Sequence, residues 1–121
     1  MALPWWFPFG KVDELTAQEL YAKIRTNGKD LQLIDVRTSV EYAEGHIVKT
    51  RNVPIQTLSH RLKELKLDPK RPVIAICLSG HRSVPAYRLL KRAGFAQVYQ
   101  LAGGMLAWRR EGLPTVKDNR R

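Results

Sequence analysis

The chain has 121 residues, of which 44% are hydrophobic and 26% charged, as expected for one globular domain with its own core. No stretch approaches the roughly 20 apolar residues that a membrane-spanning helix needs. One cysteine excludes a disulfide within the chain and agrees with a reducing compartment. We therefore predict a cytoplasmic protein without a membrane span.

Positive charge is concentrated in the second part of the chain. Lys and Arg outnumber Asp and Glu by 21 to 11, and residues 45–121 hold sixteen basic against four acidic side chains. Such a field favours anions, namely small oxyanions, acidic proteins or nucleic acid, although a solvated basic surface is an equally good interpretation. Because no aromatic side chains recur at a regular spacing, we expect no nucleic-acid partner and keep an acidic protein as the candidate.

Three segments divide the chain. Residues 1–12 form an arm rich in aromatic residues and proline, in which Trp5, Trp6 and Phe7 are expected to pack on a surface. Residues 13–115 are predicted to form the domain. Residues 116–121 form a polar, basic tail that is expected to be disordered.

Helical and extended patterns alternate along the domain. A capping box at Thr16 and Glu19 begins a helix that ends at Asn27-Gly28, and a mostly apolar strand follows. The remaining predicted elements, in chain order, are a brief strand at 52–54, a helix through Leu58 and Leu65, a strand at 73–77, a helix at 83–93, a strand at 98–101 and a helix at 105–110. This alternation with short connections predicts an α/β domain with a central, mainly parallel sheet flanked by helices.

The stretch CLSGHRS, residues 77–83, is the candidate site. Cys77 ends a strand and Ser83 begins a helix, so the loop is expected at the carboxyl edge of the sheet, where function gathers. The helix N-terminus and inward-pointing backbone N–H groups favour a thiolate, Gly80 permits the tight turn, and His81 and Arg82 add positive character. The alternative is an inert cysteine in the core.

Three stretches in order resemble the rhodanese, or thiosulfate sulfurtransferase, family. CLSGHRS is similar to its active loop. The stretch from Leu33 to Pro54, with Asp35, Arg37, Gly45-His46-Ile47 and Asn52-Val53-Pro54, is similar to its first signature. Leu101-Ala102-Gly103-Gly104 with Trp108, Gly112 and Pro114 is similar to its closing signature. The resemblance covers roughly residues 13–115 and implies a three-layer rhodanese-like domain.

The resemblance also implies the chemistry. Cys77 would take sulfane sulfur from a small anionic donor such as thiosulfate and pass it from a persulfide to an external thiol or cyanide. Leu78, Ser79, Gly80, His81, Arg82 and Ser83 would form the persulfide-binding loop. Neither a cofactor nor a metal is expected.

Outlying residues receive supporting roles. Asp35 is expected to accept backbone hydrogen bonds, and Arg37 to pair with Glu41 or reach the rim, with a structural ion pair favoured over direct catalysis. His46 is expected to brace a loop, Trp108 to pack in the core, and Gly103-Gly104 to pass beneath the site.

One departure from the family pattern and two alternative functions remain open at this point. The chain has Val48-Lys49-Thr50-Arg51 where the family commonly has a small-residue pair, so Lys49 and Arg51 are expected to add cations near the entrance to the site. A cysteine phosphatase or arsenate reductase is one alternative function, although a Cys-x5-Arg loop would need arginine at Ser83. A persulfide carrier for a dedicated partner is the other.

Overall fold

Within the part of the chain that the structure describes, five strands form one sheet in which every neighbouring pair is parallel. In this computed structural model, which describes residues 12–80 and 83–117, the sheet order is β1-β5-β4-β2-β3. The strands are β1 (Glu14–Leu15), β2 (Gln32–Asp35), β3 (Thr50–Asn52), β4 (Val73–Ile76) and β5 (Val98–Leu101). The predicted α/β domain with a parallel sheet is confirmed.

Helices cover both faces of the sheet. They are α1 (Ala17–Asn27), α2 (Ser39–Glu44), α3 (Leu58–Leu65), α4 (Ser83–Arg92) and α5 (Gly104–Arg110), and short 3-10 turns lie at Gly28–Asp30 and Ile55–Thr57. Apolar residues of α3 and α4, such as Leu58 and Leu90, pack on one face. Those of α1 and α5, such as Leu20 and Trp108, pack on the other. Strand β4 is buried throughout because it contributes to both cores.

Capping boxes fix where two helices begin. The Thr16 hydroxyl accepts the Glu19 N–H, and the Glu19 carboxylate accepts the Thr16 N–H, as the sequence predicts. Thr38 and Glu41 form the same pair of bonds at the start of α2. Both caps satisfy backbone donors that lack a partner within the helix.

Several predictions fall on residues outside the described ones. These are the arm at 1–11, His81 and Arg82 of the loop, and the tail from 118 onward. Val116, within the predicted tail, pairs with His46 in an antiparallel bridge. Across the described residues, no helix is both long enough and apolar enough to span a membrane.

Candidate active site around Cys77

Cys77 lies where the sequence predicts, at the carboxyl edge of the sheet. It follows β4 directly, and the loop that it opens leads into α4 at Ser83. The side chain is 1% exposed, so the sulfur is enclosed by its surroundings. The described part of the chain places Leu78, Ser79 and Gly80 in the loop and leaves all three partly exposed.

The loop turns its backbone toward the sulfur. The Gly80 N–H donates to Cys77 Sγ at 2.9 Å. Gly80 has φ of 100°, a conformation that favours glycine and that brings its amide back over the residue three positions earlier. A backbone donor this close favours an anionic sulfur.

The other end of the loop supplies a hydroxyl. Ser83 is fully buried, and its Oγ lies 3.5 Å from Cys77 Sγ and 3.3 Å from the Gly80 carbonyl oxygen. Its shortest hydrogen bond, at 2.6 Å, runs to Gln100 Oε1 on β5. Gln100 Nε2 in turn donates to Glu14 Oε2 on β1, also at 2.6 Å.

Gln100 and Glu14 are absent from the sequence prediction. One signal for Gln100 is available in hindsight, because it is a polar residue in the otherwise largely apolar strand Val98–Leu101 and is 5% exposed. A buried amide needs partners for both its donor and its acceptor. Glu14 lies opposite Gln100 because β1 pairs with β5. This strand could not be predicted from the sequence, since two residues are too few to show an alternating pattern of apolar side chains.

Helix α5 supports the loop from below. Met105 N–H donates to the Cys77 carbonyl at 2.8 Å, and Leu106 N–H donates to the Leu78 carbonyl at 2.9 Å. A Cβ placed on Gly104 would come within 2.5 Å of the Leu78 carbonyl carbon and oxygen, so only glycine allows this approach. The predicted passage of Gly103-Gly104 beneath the site is confirmed.

Asp35 and Arg37 form a buried ion pair beside the site. Arg37 Nη2 donates to Asp35 Oδ2 at 2.8 Å and to the Gly45 carbonyl at 2.8 Å, and the Arg37 N–H donates to Asp35 Oδ1. Both side chains have an exposure of 1% or less. Arg37 therefore forms an ion pair with Asp35 rather than with Glu41, which caps α2.

Lys49 is not at the entrance that the sequence predicts. Thr50 pairs with Leu33 early in β2, so Lys49 precedes β3 at the amino edge of the sheet. Its ammonium lies beside Gly28, in the turn before β2, and away from the carboxyl edge that holds Cys77. Arg51 is exposed in the middle of β3. The expectation that Lys49 adds a cation near the entrance is therefore wrong. Strand register sets the position of each residue along the sheet, and sequence spacing does not reveal it.

His46 and Trp108 have the structural roles predicted for them. His46 Nδ1 lies 2.7 Å from the Tyr42 carbonyl oxygen, and the His46 imidazole stacks on the Tyr42 phenol ring. Trp108 is 1% exposed, packs edge-on against Tyr21, and donates its Nε1–H to the Pro114 carbonyl. Among the described residues, no group of three His, Cys, Asp or Glu side chains is placed to hold a metal ion.

Comparison with known proteins agrees with this geometry. The sequence matches the rhodanese-like domain family over residues 16–111, a range that includes the whole of the Cys77 loop. The chain belongs to the rhodanese-like family.

Three rhodanese relatives illustrate the match. A protein of Allochromatium vinosum named sulfurtransferase is 35% identical over 87% of this chain and 95% of its own length. The thiosulfate sulfurtransferase GlpE of Shewanella oneidensis is 34% identical over 69% of this chain and 80% of its own. The crystal structure of a rhodanese-related protein from Thermoplasma volcanium superposes with a TM-score of 0.77 at 30% identity, covering 88% of this chain and 99% of the other.

Proposed function

We propose that this rhodanese-like protein is a sulfurtransferase that carries sulfane sulfur on Cys77. The observation that carries the proposal is the Gly80 N–H at 2.9 Å from Cys77 Sγ, in a loop held between β4 and α4. This donor would stabilise negative charge on the sulfur before and after loading. Relatives named sulfurtransferase support the same chemistry.

The proposed reaction is a double displacement. The Cys77 thiolate attacks the outer sulfur of thiosulfate, a new S–S bond forms, and sulfite leaves with the electron pair of the old one. Cyanide or an external thiolate then attacks the outer sulfur of the persulfide, and the Cys77 thiolate is the leaving group. Ser79, His81 and Arg82 remain predicted contributors to the binding of the anionic sulfur.

The acceptor must come from outside the chain. Cys77 is the single cysteine in the sequence, so no second thiol of the same chain is available to resolve the persulfide. Because Sγ is buried, we expect the acceptor to be small or narrow enough to reach the outer sulfur.

Mass spectrometry of the intact protein tests the proposal. After exposure to thiosulfate, the wild type should gain the mass of one sulfur atom, and cyanide should remove it. Cys77→Ser should gain nothing while remaining folded by circular dichroism. Sulfur gain by Cys77→Ser, or no gain by a folded wild type, would contradict the proposal.

Phosphatase activity is the first alternative, and position 83 is the residue that bears on it. A Cys-x5-Arg loop needs arginine there, whereas this chain has a buried serine bonded to Gln100. Hydrolysis of p-nitrophenyl phosphate, measured beside thiosulfate:cyanide transfer, separates the two activities. Turnover of the phosphate ester above that of sulfur transfer would favour the phosphatase.

A persulfide carrier for an acidic protein is the second candidate, and the uneven charge of the two helix layers favours it. On the α3 and α4 side, residues 58–71 and 83–94 hold eight basic and two acidic side chains. On the α1 and α5 side, residues 17–31 and 104–112 hold five basic and three acidic ones. A carrier would dock its partner on the more basic layer.

Charge reversal on each layer tests docking. Lys63→Glu with Lys91→Glu alters the basic layer, and Lys23→Glu with Lys29→Glu is the matched control, because all four lysines are exposed and both pairs lower the net charge equally. If a carrier is correct, only the first pair slows transfer to an acidic acceptor protein, and neither slows transfer to cyanide. Equal behaviour of both pairs would contradict docking on α3 and α4.

A further inference from the structure

Among the described residues, three groups compete for the single proton of the Ser83 hydroxyl. Gln100 Oε1 lies at 2.6 Å, the Gly80 carbonyl oxygen at 3.3 Å and Cys77 Sγ at 3.5 Å. The shortest contact is to Gln100, so the proton is directed there. A hydroxyl oxygen also has two lone pairs, and these remain for a donor on another side.

Glu14 decides which way the Gln100 amide points. An ionised carboxylate only accepts hydrogen bonds, so the group that faces Glu14 Oε2 at 2.6 Å must be the Gln100 NH₂. The amide oxygen then necessarily faces Ser83 and acts as an acceptor. Gln100 is buried, which leaves it little opportunity to exchange these partners for water.

Cys77 consequently meets a lone pair of Ser83 rather than its proton. The thiol S–H donates to Ser83 Oγ, and this contact favours the protonated sulfur. The Gly80 N–H acts in the opposite sense, because it donates to Sγ and favours the thiolate. To donate to a thiolate, Ser83 must first give up its short bond to Gln100.

We propose that Gln100 and Glu14 are positioning residues for Cys77: they hold the Ser83 proton away from the sulfur and so limit the thiolate population of the unloaded site. This inference rests on the proposed function only for its role in the cycle. A persulfide has no proton on Sγ to donate to Ser83, so the same arrangement stabilises the unloaded thiol and gives the loaded form no matching hydrogen bond.

Other ionisable groups near the loop do not change in the variants used below. On the described elements next to Cys77 these include the Asp35–Arg37 pair at the end of β2 and, on α4, Arg88 and Tyr87 with its partner Asp13. His81 and Arg82 of the loop are also kept. A difference between variants therefore reports the substituted contact.

Gln100→Met is the main variant, since it keeps the length of the side chain and removes the acceptor for Ser83. The matched control is Gln32→Met, which removes another sheet glutamine whose bonds to Asp68 and Arg71 lie at the amino end of β2. The measurement is the ultraviolet absorbance of the thiolate against pH, with Cys77→Ser as the blank. It needs no reagent to reach the buried sulfur.

Gln100→Met should shift the thiolate titration to lower pH by about half a unit to one unit, a three- to tenfold gain in thiolate below the midpoint. Gln32→Met should leave it unchanged. In a Ser83→Ala background Gln100→Met should have no further effect, because the proposed action passes through the hydroxyl. No shift, an alkaline shift, or a full shift in the Ser83→Ala background would overturn the proposal.

Glu14 variants provide an independent test that does not disturb the core. Glu14 is exposed, and Glu14→Gln keeps an oxygen acceptor for Gln100 Nε2, whereas Glu14→Met removes it. Both remove the same charge, so Glu14→Met should titrate at lower pH than Glu14→Gln, and equal titrations would overturn the proposal. If sulfur loading failed in every variant but these shifts appeared, the proposed function would be wrong and the positioning role would stand.

Discussion

The Asp35–Arg37 pair shows how much a single side chain matters when it is sealed from water. Neither partner is more than 1% exposed, and the carboxylate accepts both the guanidinium and a backbone N–H. Removal of one partner from such a pair leaves a buried charge without compensation. The pair is therefore expected to matter for stability rather than for the chemical step.

Asp35→Asn should lower the free energy of unfolding by about 3–5 kcal/mol, because Arg37 keeps its charge and loses its counterion. The matched control is Glu64→Gln, which breaks the exposed Arg61–Glu64 pair at 3.5 Å and should cost about 0.5 kcal/mol or less. Urea denaturation measures both. Similar small costs for the two variants would contradict the assigned role.

Tyr87 gives a second residue-scale prediction, about alkaline pH. Burial raises the pKa of Tyr87 above its ordinary value, and the Asp13 carboxylate, which accepts the phenol hydrogen bond at 3.1 Å, adds to the shift. The folded state thus keeps the proton to higher pH than the unfolded chain. The free energy of unfolding contains this contribution below pH about 10 and loses it as the pH rises further.

Tyr87→Phe should therefore be less stable than the wild type near neutral pH, by about 1 kcal/mol for the lost hydrogen bond. Above pH about 10 the difference should narrow, since only the wild type has a phenol at this position to ionise. Urea midpoints across a pH series measure the effect. A difference that stays constant from neutral to alkaline pH would contradict it.

Some residue roles can be predicted from the neighbouring sequence, and others depend on residues far away in the chain. Cys77, Gly104 and Trp108 follow from their position next to a strand, a turn and an apolar stripe, and the structure places them as predicted. Gln100 acquires its role only through Glu14, 86 positions away in sequence. Pairings of that kind depend on strand order, which no local pattern reports.

At the scale of elements, the contact between α5 and the Cys77 loop leaves no room for a side chain at one position of the helix. Gly104 has φ of 60°, and any Cβ there would collide with the backbone at Cys77 and Leu78. Gly112 also has a positive φ, of 72°, but has no atom within 4 Å of such a Cβ. Comparison of substitutions at the two glycines therefore separates the cost of backbone strain from the cost of steric collision.

Gly104→Ala should lower the free energy of unfolding by roughly 2–4 kcal/mol and slow sulfur loading about tenfold or more, because the loop must move away from α5. Gly112→Ala should cost about 1 kcal/mol and leave loading unchanged. Urea denaturation and the rate of mass gain from thiosulfate measure the two effects. Equal loading rates in both variants would contradict a supporting role for Gly104.

Elements that the sequence missed are short ones. Helix α2 has six residues and buries none of them, so it has no apolar stripe to detect, although its capping box is visible at Thr38 and Glu41. Strand β1 has two residues and exists because it pairs with β5. The longer helices and the buried strands were predictable because their apolar residues recur with the period of the element.

At the scale of the whole molecule, charge is the feature that composition fixes in advance. The formal net charge is +10, so the positive side chains repel one another in the folded state. The excess of basic over acidic side chains is greatest on the α3 and α4 layer. Dissolved salt screens this repulsion, with a Debye length that falls from about 30 Å at 0.01 M to about 8 Å at 0.15 M.

Sodium chloride should accordingly raise the melting temperature between those two ionic strengths. The increase should be smaller for Lys63→Glu with Lys91→Glu, whose net charge falls from +10 to +6 because each substitution removes two charges. Differential scanning calorimetry at constant pH measures both increases. A larger increase in the double variant would contradict self-repulsion as the cause.

Pairing of β1 with β5 also has a consequence for folding during synthesis on the ribosome. Glu14 is synthesised 86 residues before Gln100, its hydrogen-bond partner on β5. A contact between residues so far apart in sequence cannot form until translation has reached the second residue, and it forms slowly even then. The hydrogen bond between Gln100 and Glu14 therefore cannot form before residue 100 has been synthesised, and until then the Ser83 hydroxyl lacks the acceptor that we propose directs its proton away from Cys77.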